Sequence, residues 1–297
     1  MRRVPVVVAL LLAAGPVTAQ TNYDTVQVRI LPVTTSVFVL QGAGGNVAVS
    51  LGDDGVLLVD GMYAPLSGKV LAAIRELSSS PVRTVINTHW HGDHTGGNEH
   101  FARDGAVIHA SENARRRMST GQFNEALNAQ VPPAPPGALP KETIAEVATF
   151  VVNGDSIVAT KVAGAHTDGD VIVHFTRSNV IHMGDVFNNT GLPIIDRSSG
   201  GSVNGIIEAV DRILATADDA TRIVPGHGAI ADKARLKRYR DVVVALRDRI
   251  RTLISTGRTV EQILELNIGR PYERDFPVGH TRFVRAVHQE LTGTRSR

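Results

Sequence analysis

The sequence predicts an α/β fold in which two mixed sheets pack face to face and carry helices on their outer faces. Two observations predict it: two β-rich stretches are each followed by helical periodicity, and a β-α-β unit closes the first stretch. A third sharpens it, because polar, ligand-type residues beside glycine stand where apolar strands end, the position of functional loops in α/β folds. With 297 residues, 42% of them hydrophobic, the chain is long enough to bury a sizeable core.

The N-terminus opens with Arg2 and Arg3, continues through an apolar run from Val6 to Ala14, and closes on Gly15-Pro16-Val17-Thr18-Ala19. That is the layout of a cleavable signal peptide, so residues 1–19 are expected to be removed and residues 20–297 to form one domain that is periplasmic or secreted. The run is shorter than the roughly 20 apolar residues a bilayer span requires. No membrane partner is expected after cleavage. Cleavage also removes two of the 31 basic side chains, which then equal the 29 acidic ones, so no nucleic-acid partner is expected either. The basic stretch between Lys233 and Arg258 carries Val242, Val243, Leu246, Ile250 and Leu253 at helical spacing and reads as the solvated side of an amphipathic helix. With no cysteine, stability must come from core burial and bound metal.

Short strands are expected at 26–30, 37–41, 46–51 and 56–60, with the glycine-rich segment Gly42 to Asn46 as a hairpin turn. Leu66, Val70, Leu71, Ile74 and Leu77 then mark a helix, and 82–86 a strand. Further strands are expected at 150–152, 157–162, 171–175, 180–182 and 222–224, and helices at 203–216, 234–255, 260–267 and 281–291. Pro132, Pro133, Pro135, Pro136 and Pro140 mark a stiff loop, read as a connector with a border of the active site as the alternative.

The chemistry concentrates in Thr88-His89-Trp90-His91-Gly92-Asp93-His94-Thr95-Gly96-Gly97-Asn98, directly after an apolar strand. Three imidazoles and one carboxylate within six positions suit Zn²⁺. Composition alone produces H-x-H-x-D-H in about one such chain in a thousand. Close histidines repel when charged, and a shared cation removes that conflict. One segment cannot complete a pair of sites, and three later strand ends offer more donors: Ala165-His166-Thr167-Asp168-Gly169-Asp170, His182-Met183-Gly184-Asp185 and Pro225-Gly226-His227-Gly228. His109, His174 and His182, in or at the end of strands, and His100, His280 and His288, in or near helices, read as structural.

This motif set resembles the metallo-β-lactamase superfamily, over nearly all of the chain from Val26 onward. The resemblance implies an αβ/βα sandwich with metals at one sheet edge and two zinc ions per chain. It implies His89, His91 and His166 as ligands of the first, Asp93, His94 and His227 as ligands of the second, and Asp185 as a bridge. Asp93 would also orient a metal-activated hydroxide, making it the catalytic residue, and Asp60 resembles the family's buried aspartate that supports the ligand loop. Asn188 and Asn189, just beyond Asp185, are candidates for binding a small-molecule substrate. Asp185 stands where most lactamases of the family carry Cys or Ser and glyoxalase II carries Asp, whereas His94 matches a lactamase subclass. The expectation is a β-lactamase-like hydrolase, with a thioester, lactone or phosphoester hydrolase and a non-catalytic zinc-binding protein as alternatives.

Overall fold

The computed structural model describes residues 22–124 and 129–294; the expected signal peptide lies outside the described residues. A first sheet begins with an antiparallel meander, β1 (Arg29–Pro32), β2 (Val37–Gln41), β3 (Val47–Gly52) and β4 (Gly55–Val59). β1 starts three residues later than the expected strand, because it pairs only where Arg29 faces Gln41 at the end of β2; Val26 and Val28 pack beside the core instead. Helix α1 (Ser67–Leu77) crosses over to β5 (Val82–Ile86), parallel to β4, so the expected β-α-β unit is present. The short helices α2 (Gly92–Thr95) and α3 (Asn98–Arg103) lead to β6 (Val107–Ser111), and α4 (Glu112–Met118) to a hairpin of β7 (Gln122–Asn124) and β8 (Ala129–Val131). β9 (Glu142–Ile144) adds in parallel, giving the order β1-β2-β3-β4-β5-β6-β9.

The second sheet has the order β10 (Val147–Val152), β11 (Asp155–Val162), β12 (Asp170–Phe175), β13 (Val180–His182) and β14 (Arg222–Val224). Helix α5 (Val203–Thr216) makes the crossover from β13 to its parallel neighbour β14. After β14 come α6 (Lys233–Ser255), α7 (Val260–Glu265) and α8 (His280–Thr292).

Burial explains the stacking. β2 to β5 turn one face, including Val39, Ala48, Leu57, Val59 and Ile86, onto Ile157, Ala159, Val171, Val173 and Phe175 of the other sheet. The opposite face of the first sheet packs under α1 and α3, and that of the second under α5, α6 and α8. Three apolar layers thus separate four layers of structure, the expected αβ/βα sandwich. Helix α6 shows why its basic composition is a surface property: Leu236, Tyr239, Val242, Val243, Leu246, Ile250 and Leu253 are its buried residues, spaced at three and four, and the arginines lie between them. The proline segment is more than a connector. Ala134 and Leu139 pack on the cluster around Trp90, and the Ala138 carbonyl accepts a hydrogen bond from Asn98 Nδ2 at 3.0 Å. Among the described residues no helix is long and apolar enough to cross a membrane.

Candidate metal centre

Strand direction gathers the site. β4 and β5 run parallel, β13 and β14 run parallel, and β11 is antiparallel to β12, which is antiparallel to β13. The C-terminal ends of β4, β5, β11, β13 and β14 therefore emerge at one edge of the sandwich and deliver Asp60, the 88–98 segment, His166, Asp185 and His227. Hydrogen bonds from Val171 N to Thr88 O (2.7 Å) and from Asn46 N to Gly226 O (2.7 Å) lock the two halves there.

The seven sequence-predicted ligand residues come together in one cluster: His89, His91 and His166 form a first set, Asp93, His94 and His227 a second, and Asp185 lies between them in a group with His89 and His94. In the first set His91 Nδ1 lies 3.1 Å from His89 Nε2 and 2.9 Å from His166 Nε2, and Asp185 Oδ2 is 3.7 Å from His166 Nε2. In the second set His227 Nε2 lies 3.2 Å from Asp93 Oδ2 and 3.4 Å from His94 Nε2, and Asp185 Oδ1 is 3.3 Å from His94 Nε2 and 3.4 Å from His227 Nε2. Each oxygen of Asp185 faces a different set.

These separations fit a shared cation in each set. Ligand atoms at 2.0–2.1 Å around a tetrahedral ion are about 3.3 Å apart. Imidazole nitrogens approaching this closely must otherwise share or exclude protons. Asp185 Oδ1 is buried and has no aligned hydrogen-bond donor among the described residues, so it lacks the partner that a cation would supply. The donor set of imidazole and carboxylate suits a divalent transition metal.

The nitrogen of each ring that faces away from the centre is held by an acceptor in four of the five histidines. His89 Nδ1 lies 3.0 Å from Thr88 Oγ1, whose hydroxyl donates to Asp60 Oδ2 at 2.8 Å. His94 Nδ1 donates to the same Asp60 oxygen at 2.7 Å, His166 Nδ1 to the Ile194 carbonyl at 2.7 Å, and His91 Nε2 to Asp196 Oδ2 at 3.0 Å. Such partners fix the tautomer and the ring plane. Asp60 also accepts from Thr88 N at 2.7 Å and is itself held at φ +68°, a left-handed conformation that aims a buried carboxylate at the loop. Asp60, expected to support the ligand loop, thus contacts Thr88 and His94 of that loop.

Charge follows burial and neighbours. Burial, and then the neighbouring rings, hold His89 well below the ordinary histidine range, and burial brings His166 down to about 4. In the second set burial opposes charge, yet the carboxylates prevail: His94 is held well above the ordinary range and His227 rises to about 10 beside Asp185 and Asp93. Against the same burial, His94 and His227 lower Asp93 to about 2, and His227 and His94 hold Asp185 well below the usual carboxylate range.

Compared with known proteins, the family model of the metallo-β-lactamase superfamily matches residues 40–227, which takes in all seven of these side chains. The chain belongs to that superfamily. A metallo-β-lactamase type 2 of Bacteroides fragilis is 22% identical over 162 residues, covering 54% of this chain and 59% of that protein. Among solved structures, a metallo-β-lactamase from Pontibacter korlensis superposes with a TM-score of 0.60 at 19% identity, covering 73% of this chain and 99% of its own. The stereoselective inverting sec-alkylsulfatase of a Pseudomonas species superposes with a TM-score of 0.66 at 18% identity, covering 90% of this chain and 51% of its own. These likenesses show the fold.

Two glycines of this superfamily chain admit the crowding. A Cβ on Gly45 would lie 2.3 Å from His94 Cε1, and one on Gly226 would lie 1.9 Å from Asp185 Oδ1. The glycine-rich hairpin turn is thus also a wall of the centre, reinforced by Gly45 N donating to Asp93 O at 3.0 Å. Asn189 has its amide engaged at both ends, donating to Ala229 O at 2.8 Å and accepting from Arg235 Nε at 2.7 Å. Asn188 accepts from Thr190 N and Oγ1 through Oδ1 and lines a cleft of about 420 Å³. His182, read as structural, is held by Asn46 O at 3.1 Å and by Gly184 N at 3.2 Å.

Sequence reasoning missed Asp196, Asp170 and Tyr63. Asp170 accepts from the backbone N–H groups of His166 (2.6 Å) and Thr167 (2.9 Å) and so shapes the His166 turn; its place in the Ala165 to Asp170 segment was the available signal. Tyr63 stands at the rim, its ring against Gly44, with burial and the nearby Asp93 raising it to about 12. Asp196 caps the single 3-10 turn Arg197–Ser199 by accepting from Ser199 N, and that local role gives no sign of its second contact with His91.

Proposed function

We propose that this chain is an exported, dinuclear zinc hydrolase that cleaves a carbonyl or ester centre of a small molecule. The observation that carries the reading is the division of Asp185 between the two sets, one oxygen 3.7 Å from His166 and the other 3.3 Å from His94. His89, His91 and His166 would hold one zinc, Asp93, His94 and His227 the other, and Asp185 both. When bound, the zincs supply Lewis-acid chemistry, lowering the pKa of water toward about 7 and polarising the group under attack. The chain does the rest. Asp93, kept deprotonated and with 20% of its side chain exposed, orients the attacking water, while His227, 24% exposed, faces solvent beside it. Asp60, Asp196 and the Ile194 carbonyl hold the rings in register.

Aspartate at the shared position and a superposition on an alkylsulfatase that spans 90% of this chain favour an ester-type substrate, while the lactamase likenesses keep β-lactams in view. The test is a panel comprising a chromogenic cephalosporin, an S-acyl thioester, a lactone, a phosphodiester and a secondary alkyl sulfate, each assayed on purified protein with and without a chelator, alongside elemental analysis. The expected result is about two zincs per chain and chelator-sensitive turnover of at least one substrate. Zinc without turnover supports a non-catalytic binding protein, and near-zero zinc with no chelator effect overturns the reading. Export is tested separately: protein recovered from a periplasmic or secreted fraction should begin at Gln20.

A further inference from the structure

Helix α8 lies beyond the residues that the family model matches, yet one of its side chains reaches the loop that supports His91. Glu290, with 11% of its side chain exposed, accepts from Ser202 Oγ at 2.7 Å, Val203 N at 2.7 Å and Asn204 Nδ2 at 3.0 Å, all at the N-terminus of α5. It also lies 3.5 Å from the guanidinium of Arg197, and that guanidinium donates to the Gly201 carbonyl. The segment from Asp196 to Ser202 is therefore gripped at both of its ends by one carboxylate. Its other side rests on the His166 turn, through Asp196 N to His166 O (3.0 Å) and Ser202 N to Ala165 O (2.7 Å). Within the segment, Ser199 N and the Ser198 hydroxyl donate to Asp196 Oδ1, which leaves Oδ2 for His91 Nε2 at 3.0 Å. The chain of contacts runs from Glu290 through Arg197 and Ser202 to Asp196, and from Asp196 to the ring of His91.

We infer that Glu290 is a positioning residue for the His89, His91 and His166 set, so that the C-terminal helix tunes metal affinity at a centre whose ligands all lie before residue 228. The inference rests on the metal-binding part of the proposed function. A plain helix cap would stabilise α5 and leave the centre unchanged; a positioning residue changes the centre through Asp196.

Stepwise zinc affinities, read by competition with a chromophoric chelator on the full chain, distinguish the two. Asp196→Ala should weaken one zinc step by about 10–100-fold, the usual effect of losing a partner of a ligand histidine. Glu290→Ala should weaken the same step by roughly three- to tenfold, and Glu290→Gln by less, because Oε1 and its donors Ser202 Oγ, Asn204 N and Asn204 Nδ2 can persist while the Oε2 contact with Val203 N is lost. The double variant Asp196→Ala with Glu290→Ala should bind no more weakly than Asp196→Ala alone, since the two act in series. If Glu290→Ala does not fold, Glu290→Gln and Ser202→Ala carry the same test. Affinities within about twofold of the parent, with thermal stability lowered, overturn the inference and leave Glu290 a cap. Additive effects in the double variant overturn it too. Parent protein that takes up no zinc overturns the hydrolase reading and this inference together, whereas failure of the variants alone removes only the inference.

Discussion

The two ligand sets differ more than their composition suggests. His89 and His166 are each 1% exposed and kept uncharged by burial, and the ring of His91 lies against both. Asp93 and His227 keep 20% and 24% of their side chains in solvent, and with His94 and Asp185 they form a charged network in which protonated histidines balance ionised carboxylates. Partners behind the rings hold all three histidines of the first set and His94 of the second, which is further organised by charge within the set. One cation can enter the first set without displacing a proton from His89 or His166, and the other must compete with the proton on His227.

The severest test of this contrast removes what the sets share. Asp185→Asn should lower loading of both cations and reduce turnover by more than the roughly 10–100-fold that loss of an outer partner costs, measured by elemental analysis and kinetics. Unchanged loading would mean that Asp185 joins nothing. Gly45→Ala is expected to act on one set only. Its new methyl group would press on His94, destabilising the fold by about 1–3 kcal/mol in a denaturant titration and weakening the second zinc step before the first. Equal effects on both steps would show that the sets are not separable.

Acidity sharpens the comparison further. His227 is raised from 6.5 to about 10, so its share of metal-free stability is full below 6.5 and lost as pH climbs through about 10. Asp93 is lowered from 3.8 to about 2, so its share is full above 3.8 and lost as pH falls through about 2. Across roughly pH 6 to 8 the second zinc step should therefore strengthen by about tenfold per pH unit for each proton displaced, while the first step stays flatter. Parallel pH slopes would sink the distinction. The smallest effect is expected at the rim: Asn189→Ala should cost about 1 kcal/mol of stability and leave KM unchanged, because both ends of its amide serve the fold. A raised KM would return it to the substrate.

Much of this was legible beforehand for a physical reason. Every candidate ligand stands in a contiguous motif at a strand end, and the 3.6- and 2-residue apolar periods place those strands and helices. Glycine beside His94 and beside Asp185 is also a local mark, although the contact that requires it spans the fold. The start of β1 was misplaced because pairing with Gln41, and not the valine content of 26–30, decides where that strand begins.

By itself the sequence determined two β-rich stretches with outer helices and the strand ends that carry donor-type residues, since both are written in short-range spacing; the four-layer sandwich and the choice of seven candidate donors came from the motifs' resemblance to the superfamily. Only the tertiary structure decided which oxygen of Asp185 faces which set, that Asp60 serves His94 and Thr88 together, and that Asp196 holds His91 across 105 positions of chain. Those are matters of orientation between distant segments. They depend on how two sheets pack and on where their loops emerge, and no residue type or local period encodes that.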